Sequence, residues 1–510
     1  LALLAAGRAA LGAAAVLRRR NDTALAPELA ADTPPELVEQ QGATSTWAFQ
    51  LRASATVAYR RQFMVDVPEA CANQTCAVLV DFHGSMGDSA YERGWTRWPT
   101  FQNETAAPFI LLTPDGSGDT YPNVTVNDQS WNALGWGEQT KAAGGNSASC
   151  GAEPKKATCL DWALRHYVCY SSQLEKSSSA CVLVPQDHPM RFRDRWKSVS
   201  KSRARRQHGR WRTDPSEEGG WASRTCATAS AQDDARFLAT ALEHVLARYG
   251  ADRRRIYLFG QSQGGMAALH FASPGVLPES LKPAAVVAVS AGAARSHTPS
   301  LGGAVPTLLL HGALDDLVPP TVWAGVMQNS AAFQSLRQWP RIVHRHREAA
   351  AAMLGVAADA IDASEAILWA DALTGGKLLL KERRRLAQHL GCPNDWGEPS
   401  PISADGFLYD PFVRTLSGVA GQAVDMEALR FAGPESLPAG ARESVRCAAV
   451  PGTAAPVQAC IFRGEHCMPW QSWNDEAGDY LWEEESQGGR VFHDFVWNGF
   501  LQGGALARPA

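Results

Sequence analysis

One serine stands between two glycines in RRRIYLFGQSQGGMAALHFA, which runs from 253 to 272. Residues 260–264 read G-x-S-x-G, with an apolar run before them and a run of small helix-forming residues after them. A strand followed at once by a helix requires a tight turn, and glycine tolerates its backbone angles. Such a turn would expose the hydroxyl of Ser262 as a nucleophile and point the amide of Gln263 at a developing oxyanion. Because short patterns also arise by chance, the flanking strand and helix carry this interpretation.

A serine needs a histidine to take its proton and a carboxylate to orient that histidine. One class of hydrolases carries these partners in the chain order serine, acid, histidine. The stretch HGALDDLVPP places two carboxylates just after the apolar run 306–310. Either Asp315 or Asp316 would stand at the carboxyl end of that strand, although aspartate is also common in ordinary turns.

The histidine must come later in the chain, where the candidates are His344, His346, His389, His466 and His493. The loop FRGEHCMPW places His466 behind an apolar strand, from which it could reach the serine. The first two candidates belong to a segment that reads as inserted helices. His493 lies in an amphipathic run and is expected to be a packing residue. The sequence therefore favours His466 as the base.

A second oxyanion donor is expected from the loop after an early strand. The segment FHGSMG, residues 82–87, fits this place, because His83 and Gly84 let the backbone pass close to the nucleophile. An amide near Ser85 would face the same point as the amide of Gln263. An ordinary glycine loop at the end of a strand is the alternative.

The elements that position these residues alternate between buried strands and helices. Apolar runs begin at 77, 109, 256, 284 and 306, and a helical period with a glycine stop covers 233–250. Continuous apolar strands separated by helices predict an α/β protein with a mostly parallel central sheet and helices on both faces. The chemistry of such a sheet lies at the carboxyl ends of its strands.

The predicted domains are a leader or linker over 1–44 and one catalytic domain over 45–505. Two insertions are expected in that domain. One, at 171–222, contains a stretch at 191–212 with ten Lys/Arg residues and one acidic residue. It is expected to be a disordered surface insertion or an error in the gene model, with an anionic contact as the alternative. The other, at 321–390, reads as helices between acid and base, which would form a lid or pack away from the site.

The composition is that of a globular protein: 510 residues, 45% hydrophobic and 20% charged, with a net charge of −4. This charge gives no general attraction to nucleic acid. Eleven cysteines without a C-x-x-C pair, together with N-x-S/T sequons at Asn21, Asn73, Asn103 and Asn123, favour a secretory route with disulfides and glycosylation. The first twenty residues are expected to be a signal or anchor remnant, or an amphipathic helix.

Six motifs together resemble secreted esterases of the polyhydroxybutyrate depolymerase and feruloyl or acetylxylan esterase group. In chain order they are LVDFHGSMG, PDG with QSWN, DDARFL, RIYLFGQSQGGMAA, HGALDDLVP and GEHCMPW. The resemblance covers roughly 61–502, outside the two insertions. It implies a single-domain, commonly secreted α/β-hydrolase that needs no metal or other cofactor. The protein is expected to be a monomer.

The same resemblance assigns individual residues. It aligns the acid with Asp315 and the base with His466, although Glu465 replaces the glycine usual before that histidine. It places Trp131, with His83, at the substrate-binding face. Cys467 beside the histidine is similar to a tannase-like pattern. Because Gln261 stands where the partner cysteine would be, no disulfide joining the serine and histidine loops is expected.

The expected activity is carboxylic ester hydrolysis through a Ser-His-Asp triad and an acyl-enzyme. The substrate would be an extracellular polymer or a hydroxycinnamoyl or acetyl ester. An inactive binding protein on the same fold is one alternative, since a fold alone does not imply chemistry. A serine peptidase of the prolyl-oligopeptidase type is another, since it shares the triad order. No nucleic-acid partner is expected, and a membrane contact is expected only if the N-terminal segment is an anchor.

Overall fold

The computed structural model describes about half of the predicted catalytic domain. The described residues are 32–52, 58–84, 87–116, 131, 234–292, 301–315, 320, 411–464, 466–474, 479–482 and 488–502, with a few positions between 344 and 373. Among these residues, none of the helices combines the length and apolar character that a membrane span needs. The basic segment 171–222 lies outside the described residues, as does most of 321–390, so both insertions stay predictions.

Ten strands of the described chain form one sheet, in the order β1-β2-β3-β5-β4-β6-β7-β8-β10-β9. The five pairings from β5 through β10 are parallel, and antiparallel pairs extend the sheet at both edges. A separate hairpin comprises β11 and β12. The strands are β1 Glu36–Gln41, β2 Thr44–Arg52, β3 Ala58–Asp66, β4 Ala77–Phe82, β5 Phe109–Pro114, β6 Ile256–Gln261, β7 Ala285–Val289, β8 Thr307–Gly312, β9 Val445–Ala449, β10 Val457–Phe462, β11 Gln471–Asn474 and β12 Asp479–Trp482.

Helices cover both faces of the sheet. They are α1 Ser89–Thr96, α2 Trp98–Glu104, α3 Asp234–Tyr249, α4 Gln263–Phe271, α5 Pro411–Ala420 and α6 Gly488–His493. A π-helical segment, Asp494–Gln502, continues α6. Short 3-10 turns occupy Glu69–Ala72, Glu279–Leu281, Ala358–Ala360, Met426–Ala428 and Ala439–Glu443.

Local chemistry sets the ends of these helices. The Asp88 carboxylate accepts a hydrogen bond from the Tyr91 amide and caps the start of α1. Arg97, in a left-handed conformation, ends that helix and begins α2. Gly250, with φ of 62°, follows the last residue of α3, where glycine is favoured because it has no Cβ.

The core lies in two layers because β4 alternates its side chains across the sheet. Val78 and Val80 join the layer packed against α3, α4 and α5. Ala77 and Leu79 join the other layer, with Trp98 of α2 and the aromatic residues of α6 and its extension. The prediction of a mostly parallel sheet with helices on both faces is confirmed.

The sheet begins earlier than the sequence predicted. Residues 36–41, assigned to the linker 1–44, form β1 and pair antiparallel with β2. Every side chain of this edge strand is exposed, so it lacks the half-buried alternation that marked β2 and β3. Residues 36–41 therefore belong to the sheet, although the sequence analysis placed them in the linker.

Candidate active site

Ser262 occupies the turn between β6 and α4 as predicted, with φ of 56° and ψ of −124°. A residue with a Cβ rarely adopts a positive φ, so the turn holds this serine in a strained backbone conformation. The Ser262 amide donates a hydrogen bond of 2.8 Å to the Val289 carbonyl oxygen at the end of β7. The turn is thereby fixed to the neighbouring strand.

The glycines around the serine are required by close backbone approach. A Cβ on Gly260 would overlap the backbone of Gly264, and one on Gly264 would overlap the Phe82 carbonyl oxygen. Gly265 is also crowded, since a Cβ there would lie 2.8 Å from the Ala291 Cβ. The spacing of glycines therefore reflects a turn packed tightly against the end of β4.

Two predicted partners of the serine are in direct contact. Asp315 follows β8, and His466 lies in the loop after β10, the strand paired in parallel with β8. The Nδ1 atom of His466 lies 2.8 Å from the Asp315 Oδ2 atom, and the carboxylate is fully buried. Such a contact fixes the ring so that Nε2 is left for proton transfer. Asp316, the other candidate acid, lies outside the described residues.

A second histidine approaches the same carboxylate. The Nε2 atom of His311, in β8, lies 3.5 Å from Asp315 Oδ2, and both side chains are fully buried. Sequence reasoning did not assign this residue. Its position four residues before the acid, at the end of an apolar strand, is a signal that could have indicated it.

Gln261 links the serine turn to the histidine loop. Its Nε2 atom donates to the His466 carbonyl oxygen at 3.4 Å. The carboxyl ends of β6, β8 and β10 thus bring Ser262, Asp315 and His466 to one edge of the sheet. The role of Gln261 was also not predicted, because glutamine at this position has no distinctive sequence signal.

The loop after β4 passes beside the nucleophile. A Cβ on Gly84 would lie 3.5 Å from the Ser262 Cβ and 3.3 Å from the Gln261 Oε1 atom. Ser85, the predicted second oxyanion donor, lies outside the described residues. Gln263, the predicted first donor, is the first residue of α4, where a helix presents its backbone amides.

His83 joins two loops through its ring nitrogens. The Gly116 amide donates to Nε2 at 2.8 Å, so Nδ1 carries the proton and donates to the Gly84 carbonyl oxygen at 2.7 Å. Burial lowers the pKa of His83, which favours this neutral form. Trp131 donates from Nε1 to the His83 carbonyl oxygen at 2.9 Å. Both side chains are fully buried, and their contact with substrate stays a prediction.

Two of the other candidate histidines, His344 and His493, are described and make other contacts. His493 packs among Trp98, Phe101 and Phe492, as the sequence indicated. His344 has a highly exposed side chain. His346 and His389 lie outside the described residues.

Disulfides join Cys71 to Cys76 and Cys447 to Cys460, the latter directly across β9 and β10. Cys467, beside the candidate base, is buried, and its Sγ atom donates to the Gln471 carbonyl oxygen at 3.4 Å. The remaining six cysteines lie outside the described residues.

Two of the predicted glycosylation sites fall within the described residues. Asn73 and Asn103 are both exposed there. Asn21 and Asn123 lie outside the described part of the chain. Glycosylation stays a prediction at all four positions.

No family model matches the sequence, and no curated protein matches it. Among solved structures, the chain is similar to a thermostable esterase at 12% identity and a TM-score of 0.27, over 53% of this chain and 48% of that one. It is similar to an acetyl xylan esterase from Aspergillus awamori at 12% identity and a TM-score of 0.25, over 55% and 73% of the two chains. It is similar to an S-formylglutathione hydrolase from Agrobacterium tumefaciens at 12% identity and a TM-score of 0.28, over 58% of this chain and 87% of that one.

At identities and TM-scores this low, these likenesses carry no argument about activity. The assignment of the fold rests on the strand order of the protein itself. Strand β6 leads into the serine turn, β8 into Asp315 and β10 into the loop of His466. The chain has the α/β-hydrolase fold.

Proposed function

We propose that the protein is a serine hydrolase that cleaves carboxylic esters through an acyl-enzyme. The observation that carries the proposal is the hydrogen bond of 2.8 Å between Asp315 and His466 at the edge of the sheet that holds Ser262. An imidazole oriented by a buried carboxylate, at the same sheet edge as a serine in a strained turn, is the arrangement expected for activating a hydroxyl.

The reaction follows from these positions. His466 Nε2 takes the proton of Ser262 as the hydroxyl oxygen attacks the ester carbonyl carbon, and the carbonyl oxygen becomes an oxyanion. The Gln263 amide and an amide of the loop at Ser85 stabilise that charge. The protonated imidazole then gives its proton to the leaving alcohol. Water, activated by the same imidazole, releases the acid and restores Ser262.

The substrate class rests on the order of motifs. The six motifs shared with polyhydroxybutyrate depolymerases and feruloyl or acetylxylan esterases favour an extracellular polymer or a hydroxycinnamoyl or acetyl ester. The disulfides Cys71–Cys76 and Cys447–Cys460 support synthesis in an oxidising compartment, because such bonds rarely persist in the cytosol. Secretion therefore belongs to the same proposal.

Turnover of a p-nitrophenyl ester tests the activity. Ser262→Ala removes the nucleophile, so the rate should fall about 10⁴-fold or more. Ser273→Ala is the matched control, because Ser273 follows α4 and its hydroxyl bonds the Leu269 carbonyl oxygen away from the turn. Undiminished turnover by Ser262→Ala, with the control also active, would exclude this serine as the nucleophile.

The same assay with a peptide anilide separates an esterase from a peptidase. We expect turnover of the ester to exceed that of the anilide. Efficient cleavage of proline anilides would instead favour the prolyl-oligopeptidase alternative.

A further inference from the structure

Ser290 stands at the end of β7 in a backbone conformation that few side chains adopt. It follows Val289, the last residue of the strand, with φ of 48°, and its side chain is fully buried. A residue with a Cβ is strained at a positive φ, and such strain persists only where the surrounding contacts hold it. The contacts of Ser290 therefore indicate what the strained conformation serves.

The backbone at this point joins the two neighbouring strands. In the sheet, β7 lies between β6 and β8. The Ser262 amide donates to the Val289 carbonyl oxygen, and the Ser290 amide donates to the Leu310 carbonyl oxygen of β8, each at 2.8 Å. The end of β7 is therefore bound on one side to the turn of the nucleophile and on the other to the strand that leads to Asp315.

The Ser290 side chain reaches the third segment of the site, the loop of the base. Its Oγ atom donates to the Cys467 carbonyl oxygen at 3.5 Å. Gln261, the last residue of β6, donates from Nε2 to the preceding carbonyl oxygen, that of His466, at 3.4 Å. Both contacts are long, as those of a catalytic site often are before substrate binds. Two buried side chains on adjacent strands thus bind two successive carbonyl groups of the histidine loop.

Two further contacts hold this loop at other points. The Leu314 amide donates to the Gly464 carbonyl oxygen at 2.9 Å, which joins the loop to the turn before the acid. Within the loop, the Met468 amide donates to the Gln471 Oε1 atom at 2.9 Å. Neither of these contacts ties the loop to β6 or β7. The side chains at the ends of those two strands supply that connection.

This connection matters because one imidazole must serve two partners. Nδ1 of His466 lies 2.8 Å from the Asp315 carboxylate, and in the proposed reaction Nε2 takes the proton of Ser262. The loop backbone sets the point from which the ring extends. A misplacement of about 1 Å in a catalytic group can cost about 100-fold in rate. Binding the loop to the strand ends limits such a displacement.

We propose that Ser290 and Gln261 are positioning residues that hold the backbone of His466 at the serine turn. In this role neither side chain touches the reacting atoms, since each acts through the histidine loop. The catalytic consequence rests on the proposed ester hydrolysis, whereas the attachment of the loop does not. Ser290 keeps its strained φ because that conformation directs the hydroxyl at the Cys467 carbonyl oxygen.

Substitutions at Ser290 separate positioning from stability. The measurements are kcat and KM for a p-nitrophenyl ester and the midpoint of urea unfolding. Ser290→Gly removes the hydroxyl but suits the positive φ, so kcat should fall about tenfold with little change in KM, without a matching loss of stability. Ser290→Thr keeps the hydroxyl but adds strain, because a β-branched residue resists that φ, so it should unfold at lower urea and keep kcat near the wild-type value. If kcat follows stability across the two variants, the proposal is overturned.

Gln261→Met tests the second contact and serves if the Ser290 variants do not fold. Methionine has the length of glutamine but no amide donor, so kcat should again fall about tenfold with little change in KM. Thr307→Val is the matched control, because the Thr307 hydroxyl is equally buried and bonds the Val305 carbonyl oxygen at 2.8 Å at the opposite end of β8. The control should lose stability and keep kcat. An equal fall of kcat in the control would overturn the proposal.

Hydrogen exchange of the loop amides is a readout that needs no substrate. Exchange in 466–471 should be about tenfold faster in Ser290→Ala and in Gln261→Met than in wild type, and unchanged in Thr307→Val. Wild-type exchange in the first two variants would overturn the attachment of the loop. Faster exchange with wild-type kcat would overturn its role in positioning the base. If wild type hydrolyses no ester, the proposed function fails, and exchange alone decides whether the two side chains hold the loop.

Discussion

The carboxylate of Asp315 and the imidazole of His466 lie 2.8 Å apart, although 151 residues separate them in the chain. The parallel pairing of β8 with β10 produces this contact, because both strands end at the same edge. In the proposed reaction, this contact would leave Nε2 of the imidazole as the atom that takes the proton of Ser262.

Asp315→Asn should therefore disable the histidine while leaving the fold intact. An amide in place of the carboxylate favours the wrong tautomer of His466, and kcat should fall about 10⁴-fold, as known for such triads. The measurement is ester turnover together with circular dichroism. Full activity in a folded variant would show that this contact does not serve catalysis.

The turn at Ser262 should tolerate no side chain at Gly264. Gly264→Ala forces a Cβ into the Phe82 carbonyl oxygen, and the cost in unfolding free energy should be about 3 kcal/mol or more. Gly94→Ala is the control, since a Cβ there meets nothing within 4 Å on α1 and should stabilise by about 0.5–1 kcal/mol. Equal urea midpoints for the two variants would contradict the close packing.

A buried ion pair should stabilise the start of α3. Arg61 Nη1 lies 2.6 Å from Asp234 Oδ1, both side chains are buried, and the guanidinium lies over the Phe237 ring. Arg61→Met leaves the carboxylate without its cation, so stability should fall by about 3–5 kcal/mol. In the exposed pair of Arg253 and Glu243, Arg253→Met should cost about 1 kcal/mol or less. Similar urea-unfolding losses in both variants would argue against this difference.

Stability below neutral pH should depend on His493. Burial lowers the pKa of this residue to about 4, so between about pH 6.5 and pH 4 the unfolded chain binds a proton that the folded protein does not. Its contribution is therefore complete above about pH 6.5 and is lost as pH falls toward 4. His493→Gln should reduce this acid loss by about 3 kcal/mol, whereas exposed His344→Gln should leave it unchanged. Matching acid curves for wild type and His493→Gln would exclude the effect.

The parts of the fold visible in sequence were those with strong local patterns. The apolar runs at β4 and β5 begin at the predicted residues, and the glycine stop after α3 is where the periodicity placed it. These strands are buried on both faces, so their sequences are continuously hydrophobic. By contrast, β1 is exposed along its length and is held in the sheet by its pairing with β2. The sequence of residues 36–41 alone does not predict that pairing.

The candidate site likewise contains residues that a sequence motif predicts and residues that no motif predicts. Ser262, Asp315 and His466 carry recognisable spacing, because a nucleophile, an acid and a base each need a strand end. The contacts of Gln261 and His311 depend on which strands become neighbours. That information is absent from any single motif, since pairing in the sheet joins segments far apart in the chain.

Labelling with a fluorophosphonate, followed by peptide mass spectrometry, tests the central claim most directly. An activated serine attacks phosphorus irrespective of which ester the enzyme prefers. We predict one adduct, on the hydroxyl of Ser262, which disappears in Ser262→Ala and is strongly slowed in His466→Ala. An unlabelled Ser262 in folded wild type, or labelling at the same rate without His466, would contradict the proposed nucleophile and its base.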